Sequence, residues 1–493
     1  MAAVVQKARA AQSGWAALPV RRRADVARRM AREIAREADE ISEVISRATG
    51  KTRLDALSTE VLPAAIAARY YARIAPRLMA RKRVRRSSIL FFSKVSWVEQ
   101  APFGVVGIIS PWNYPFGIPM HEVTAALLGG NAVLLKVATM AEPVGRVIER
   151  VARAADLPEG LLSLVPLPGE RAGDAMLAAG IDRLCFTGST EVGRQLMVRA
   201  GARLIPVSLE LGGNDPMIVL EDANLERAAA GALWAGLSNA GQSCAGVERI
   251  YVAEPVYQRF RDLLADGIRR LRVGPDRDFS VDVGTLSNEE QMEKMKELLA
   301  DAESKGAVVT ARSETKPAGL CHPALLLERG EDSMRILREE IFGPLLVLRP
   351  VKDEREAVER ANDSRLGLTA SVWSADRRRA RRVASQLAAG TVTINDHLMS
   401  HGMAETPWGG FKDSGIGRTH GAAGLLAMSQ TRAVVDERLH RAPRNLWWYP
   451  HDRKVYDGLR AALDLVFGRG IGARLKALPR AAGLILRMFR RSG

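Results

Sequence analysis

The sequence is short of cysteine, of aromatic residues and of long apolar runs. Three cysteines, Cys185, Cys244 and Cys321, stand among 493 residues. A sparse, odd count excludes a disulfide framework and points to a reducing compartment, so a cytoplasmic protein is expected. Aromatics make up 5% of the chain and are not interleaved with basic residues as in nucleic-acid binding modules. No uninterrupted apolar stretch has the roughly 18 residues a membrane-spanning helix requires. No apolar segment of secretory type follows the initial Met. The early run of arginines is broken by Asp25, Glu33, Glu37 and Asp39, unlike a transit peptide.

Apolar and basic residues are plentiful. Hydrophobic residues reach 47%, which excludes global disorder, and the length suits two or three domains. The net charge of +16 is unevenly placed. Residues 437–493 hold 13 Lys and Arg against 4 Asp and Glu, a balance of +9, and everything before them carries +7. The excess therefore marks a tail, and no nucleic-acid partner is expected. In that tail Leu459, Leu463, Phe467, Leu475, Leu478, Leu486 and Phe489 recur at near-helical spacings, while Gly468, Gly470, Gly472 and Pro479 break a single long helix. The pattern admits two readings. One is peripheral contact with an anionic membrane face on the cytoplasmic side. The other is a pair of helices folded over the rest of the protein.

Residues 1–80 read as helices, being rich in Ala, Arg and Glu. A basic cluster at 81–86 leads into SSILFFSKVSWVEQ, whose β-branched and aromatic residues predict a strand or hairpin, an arm suited to pairing between subunits. From 103 to 230, short apolar runs at Val105–Ile109, Ala132–Leu135, Leu162–Val165, Leu184–Phe186 and Pro206–Leu209 alternate with helical patterns. This predicts an α/β domain with a mostly parallel sheet. Residues 216–400 repeat the texture with strands near Met217–Leu220, Arg249–Val252, Leu345–Val351, Thr369–Val372 and Thr391–Ile394.

Four segments carry chemical signals. Cys244 lies between Gly241 and Gly246 among small residues, so a large group can approach its thiol. Cys185 and Cys321 read as structural. Glu210 ends an apolar strand before Gly212 and Gly213, where it faces a site at the sheet edge or serves as a cap. Asn113 lies in a loop stiffened by Pro111 and Pro115, and its amide can donate to an oxyanion. Thr187-Gly188-Ser189 follows a strand and opens a helix, a setting suited to phosphate, although Gly188 and Gly193 do not form G-x-G-x-x-G.

Taken in order, PFGVVGIISPWNYPF (102–116), GNAVLLK (130–136), FTGSTEVGR (186–194), LELGG (209–213), GQSC (241–244), EEIFGP (339–344) and PWGGFKDSGIGR (407–418) resemble the aldehyde dehydrogenase superfamily, in its non-acylating, NAD(P)-dependent branch. The step of 34 residues from Glu210 to Cys244 is similar too. The resemblance spans about residues 1–436. It implies a Rossmann-like cofactor domain (1–84 and 101–211), a catalytic domain (212–413), an oligomerisation arm (85–100 and 428–436) and a basic extension (437–493) outside the common pattern. It implies a homodimer or homotetramer.

It also implies roles. Cys244 matches the nucleophile, Asn113 the oxyanion-hole amide and Glu210 the general base that hydrolyses the thioester. Lys136, Trp112, Thr139, Gly169, Gly173, Gly188, Ser189, Gly193, Glu340 and Phe342 match cofactor-binding positions. Tyr114 and Trp408 match positions near the aldehyde entrance. No metal is implied. The family's usual Lys-Pro-Ser-Glu is here Lys136-Val137-Ala138-Thr139, which removes a carboxylate that repels the 2′-phosphate, so tolerance of NADP beside NAD is expected. A CoA-acylating enzyme is a rival, disfavoured by Glu210. A non-catalytic, membrane-associated relative is a second, disfavoured because Cys244, Asn113 and Glu210 are all present.

Overall fold

The computed structural model describes residues 1–315 and 319–490. Residues 316–318 of the expected catalytic domain and 491–493 of the expected extension lie outside the described residues. The chain divides into two compact units, Met1–Met79 with Ala101–Gln430, and Ala80–Gln100 with Thr431–Gly493.

The larger unit holds two sheets. In the first, five parallel strands run in the spatial order Val207–Glu210, Arg183–Thr187, Val105–Ser110, Ala132–Val137, Leu162–Leu164, and Gly415–Ile416 adds an antiparallel edge beside Val207–Glu210. Val105–Ser110 is buried at every position, as expected for a β-branched run covered on both faces. The strand order reverses between Val105–Ser110 and Arg183–Thr187. In open α/β sheets such a reversal opens a crevice at the carboxyl ends of the two strands. The loops leaving these ends are Pro111-Trp112-Asn113 and Gly188-Ser189, and the neighbouring strand ends on Glu210.

The second sheet has seven strands, ordered Ala307–Arg312, Leu325–Arg329, Leu345–Val351, Val247–Ala253, Asp215–Val219, Thr369–Trp373, Thr391–Ile394, parallel except for the first pair. The five strands expected here are present. Ala307–Arg312 and Leu325–Arg329 are additions. The leucines of the latter favour helix in isolation, and burial between two neighbouring strands overrides that preference.

The smaller unit joins what the sequence reading kept apart. Lys82–Val84, assigned above to the cofactor domain, pairs with Lys94–Pro102, which neighbours Ser429–Glu437 in a three-stranded sheet. The extension forms two helices, Arg453–Phe467 and Ile471–Met488, separated at Gly468–Gly470 as expected. Pro479 stands inside the second helix rather than ending it. The helix is held by packing on its partner, where Leu484 comes so close to Gly458 that a Cβ there would stand 2.6 Å away. Leu446, Val455, Leu484 and Met488 form a small core with Phe92 of the arm and Leu439, which ties arm and extension into one body.

Candidate active site

Cys244 follows the helix Leu225–Leu237 and a short, strained turn. Asn239 and Ala240 both have φ of 54° and Gly241 has φ of 70°, three consecutive left-handed residues. Such backbone costs on the order of 1–2 kcal/mol per non-glycine residue and persists only where its surroundings fix it. Here Asp55, buried, accepts from the Asn239 N–H at 2.9 Å and from Ser238 Oγ at 2.9 Å. The Asn239 amide donates to the carbonyls of Gln242 and Asn113, both at 3.0 Å. Gly241 admits no side chain, because a Cβ would stand 2.1 Å from the Gly343 carbonyl oxygen.

The loop bearing Asn113 is fixed from the same side. Lys51 Nζ donates to the Asn113 carbonyl at 2.6 Å and to Glu60 at 2.7 Å, and neither side chain of that ion pair is exposed. Glu60 in turn accepts from the backbone N–H groups of Phe116 and Gly117, at 2.8 and 3.0 Å. The Asn113 side-chain amide gives one N–H to the Gln242 carbonyl at 3.1 Å, and its second N–H remains to be donated. Asp55, Lys51, Glu60 and Asn239 thus knit the Asn113 loop to the Cys244 loop. The sequence reading did not single out these four. A lone Lys or Glu in a helical stretch reads as a solvated face, and its partners here lie up to 184 residues away.

Glu210 reaches the site from the end of its strand and is buried. Neither carboxylate oxygen has a hydrogen-bond partner among the described residues. Burial, reinforced by nearby Glu122, raises its pKa well above the ordinary range for glutamate. The Gly pair that follows is dictated by crowding. At Gly213 a Cβ would stand 2.0 Å from the Cys244 carbonyl, and the Gly213 N–H donates to Glu340 at 3.0 Å. The Glu340–Phe342 loop is itself held by buried Glu248, which accepts from the Ile341 and Phe342 N–H groups at 2.8 Å each. Glu248 is another residue with no signal in the sequence.

Cys244 lines three cavities that meet at it. The first, about 190 Å³, is formed by Trp112, Asn113, Gly188, Ser189, Glu210, Glu340 and Phe342, with Lys294 as an addition. Trp112 and Phe342 meet edge to face there, their centroids 5.5 Å apart. The second, about 20 Å³, lies between Glu210, Glu122, His121, His420 and Trp408 and has room for a single water molecule. The third, about 120 Å³, runs from Cys244 and Tyr114 to Leu62, Ile66, Trp234 and Met399. Trp408 lines the small inner chamber, and Tyr114 lines the channel.

The thiol of Cys244 departs from the open, electropositive setting that activates cysteines. Although the residue is partly exposed, burial of the sulfur and the carboxylates of Glu340, Asp215 and Glu210 raise its pKa well above the usual thiol range. Burial likewise pushes Glu340 up to about 7, Glu122 to about 8 and His121 down to about 3. Burial also pushes Cys185, a core residue, up to about 12.

The remaining expected cofactor residues lie outside the three cavities. Lys136 ends the strand Ala132–Val137, and its ammonium bonds the Val137 carbonyl. Thr139 and Gly169 are exposed. Gly173 and Gly193 are required by close packing, since a Cβ would stand 2.4 Å from Leu196 and 2.5 Å from Leu211 respectively. Ser189 caps the helix Thr190–Gly201, accepting from the Val192 N–H at 3.4 Å. A capped helix N-terminus, a bare Gly188 and the crevice at the strand reversal suit the pyrophosphate of a dinucleotide.

A buried thiol beside a crevice at a strand reversal, with an unpartnered carboxylate across from it, suits the chemistry of a cysteine-dependent oxidoreductase. Residues 1–434 match the aldehyde dehydrogenase family, and the chain belongs to it. A 4,4′-diapolycopene aldehyde oxidase of Methylomonas is 38% identical over 462 residues, covering 94% of this chain and 86% of that protein. A putative NADP-dependent succinate-semialdehyde dehydrogenase of Mycolicibacterium smegmatis is 39% identical over 442 residues, covering 89% and 85%. Among solved structures, an aldehyde dehydrogenase of Brucella melitensis superposes with a TM-score of 0.84 at 32% identity, covering 88% of each chain. The NAD+ complex of a Bacillus cereus aldehyde dehydrogenase gives 0.84 at 31%, again over 88% of each. The protein oxidises an aldehyde to a carboxylic acid, and its cofactor is NAD or NADP.

Proposed function

We propose that Cys244, Asn113 and Glu210 carry out this oxidation, and the meeting of three cavities at Cys244 is the observation that supports it most. Each cavity admits one reagent: the apolar channel the aldehyde, the crevice the dinucleotide, and the inner chamber a water molecule. When bound, the dinucleotide supplies the hydride acceptor. Cys244 Sγ, its proton given up to solvent water, bonds to the aldehyde carbon as the C=O π pair moves onto the oxygen. The free N–H of Asn113 and the Cys244 backbone N–H hold the oxygen as it becomes anionic. Loss of hydride leaves a thioester. Glu210 then takes a proton from water in the inner chamber, the hydroxide adds to the thioester carbon, and the acid and thiol are released. Glu340 and Phe342 position the nicotinamide end, and Ser189, Gly188, Trp112, Lys136 and Thr139 the remainder. Residues 1–84 and 101–211, which carry five strands of the first sheet, serve as the cofactor domain and 212–413 as the catalytic domain. Cys244→Ala should abolish NAD(P)-linked aldehyde oxidation while dinucleotide binding, followed by fluorescence quenching, persists. Substantial residual oxidation would reject the assignment.

A second reading concerns the smaller unit. Phe467, Ile471 and Leu475 are 76%, 79% and 62% exposed, and Trp448 and Tyr449 are exposed as well. They stand amid the +9 charge of residues 437–493. Among the described residues no helix is long and apolar enough to cross a membrane. Exposed apolar and basic side chains together fit an anionic lipid surface, and we infer peripheral docking there, on the cytoplasmic face. Full-length protein should pellet with phosphatidylglycerol vesicles, and Phe467→Asp with Ile471→Asp should release it. Equal pelleting of both proteins would reject this. The three-stranded sheet, with its exposed edges, is the surface we assign to pairing between subunits of a dimer or tetramer.

A further inference from the structure

The relatives described above are named for different aldehydes, 4,4′-diapolycopene aldehyde and, as a putative activity, succinate semialdehyde. Among the described residues that line the channel, none is Lys, Arg, Asp or Glu. Its inner wall is Tyr114, Ile118 and Ala245, all buried. Its outer wall is Leu62, Ile66, Trp234 and Met399, which are 53%, 47%, 38% and 48% exposed. Apart from Ser58, Thr59, Ser243 and His401, the lining is apolar from the thiol to the surface. Leu54 and Leu57, on the same helical segment as Leu62, extend the exposed apolar surface. His401, which also lines the channel, is driven by burial down to about 4 and is neutral at physiological pH. One cation lies against a lining residue, Lys51 Nζ at 4.1 Å from the Tyr114 ring. That ammonium is already held by Glu60 and the Asn113 carbonyl.

A substrate carboxylate in this channel would therefore be desolvated without a cationic partner among the described lining residues. An apolar chain meets the opposite conditions. The inner volume of about 120 Å³ is close to that of apolar protein cavities of about 150 Å³ that hold one benzene, so it takes a single slender chain or ring. The exposed mouth lets a longer tail continue outward.

We propose that the site is built for uncharged aldehydes with an extended apolar tail and selects against semialdehydes that carry a carboxylate. The proposal rests on the reading of Cys244 as the nucleophile of aldehyde oxidation. The test compares kcat/KM for propanal, butanal, octanal, dodecanal and succinic semialdehyde, using the full-length enzyme with NAD and with NADP. Each buried methylene is worth roughly a three- to fourfold gain, so with all five added methylenes buried octanal should exceed propanal by at least about two hundredfold. Butanal should exceed succinic semialdehyde, its four-carbon anionic counterpart, by at least about tenfold. Ile66→Arg should lower the octanal-to-propanal ratio and raise the semialdehyde relative to butanal. A semialdehyde used as well as butanal, or a flat chain-length profile, would overturn the proposal. Failure to oxidise any of the five aldehydes would remove the underlying reading, and the proposal with it.

Discussion

Replacing Lys51 by Met tests whether a buried ion pair places the oxyanion donor. In the native protein the ammonium bridges Glu60 at 2.7 Å and the Asn113 carbonyl at 2.6 Å, out of contact with water. Met keeps the volume and removes the charge. Glu60 is then left buried with only the Phe116 and Gly117 N–H groups. Breaking a buried pair by removing one partner costs about 3–5 kcal/mol. The two remaining charge-assisted bonds keep the cost near the lower end, about 3 kcal/mol, or several degrees in Tm. Lys51→Met with Glu60→Gln removes the stranded charge as well, so the double variant should regain most of that stability. Activity should not follow. The Asn113 loop has lost its tether in both variants, and small misplacements of a catalytic group cost up to about a hundredfold. Calorimetry and steady-state kinetics on the two variants separate the effects. A double variant with native kcat would refute the positioning argument. A Lys51→Met protein with unchanged Tm would refute the energetic one.

Three further outcomes follow from the electrostatics. The folded protein raises the pKa of both Cys244 and Glu210, so each reaches its reactive, deprotonated form only at higher pH. Turnover should therefore rise from neutral into alkaline pH, and alkylation of Cys244 by iodoacetamide should rise with it. Glu340→Gln removes a carboxylate that pushes the thiol up, so the alkylation midpoint should fall, and an unmoved midpoint would show that burial alone sets it. At the other end of the crevice, Thr139→Glu should restore a negative charge beside Lys136. It should lower kcat/KM for NADP relative to NAD by at least about tenfold, or 1.4 kcal/mol, and an unchanged ratio would assign the discrimination to other residues.

Much of the site is legible in the sequence because its reactive residues sit in short motifs at the ends of strands. Val105–Ser110 and Arg183–Thr187 can be read from β-branched and apolar runs, and the residues just beyond them, Asn113 and Ser189, then lie at the sheet's carboxyl edge. The glycines of LELGG are legible as a pattern, but their reason appears only in three dimensions, where Gly213 lies against the Cys244 carbonyl and Gly212 beside Glu340. Trp408 matches an entrance position by analogy alone. Its neighbour Thr419 pairs with it across a short bridge, and it lines the chamber beside Glu210. The supporting residues are illegible for a physical reason. Lys51, Asp55, Glu60 and Glu248 act through contacts set by tertiary docking, which leave no periodicity in the chain.

That docking also explains why the site is divided between sheets. Asn113, Ser189 and Glu210 come from the carboxyl edge of the first sheet, whereas Cys244 precedes a strand of the second. Neither sheet alone holds both the proposed nucleophile and the proposed base. The segment 51–60 bridges them, with Lys51 and Glu60 on the Asn113 loop and Asp55 on the Cys244 loop. The segment Phe411–Ile416 closes the other side, where Ser414 Oγ donates to the Gly212 carbonyl at 2.6 Å and accepts from the Gly367 N–H at 2.8 Å. Two straps, residues 51–60 and 411–416, thus tie together the loops that carry the thiol and the carboxylate. The reacting carbon must lie within reach of both in successive steps. It follows that the spacing of Cys244 and Glu210 depends on these straps and not on the two motifs alone.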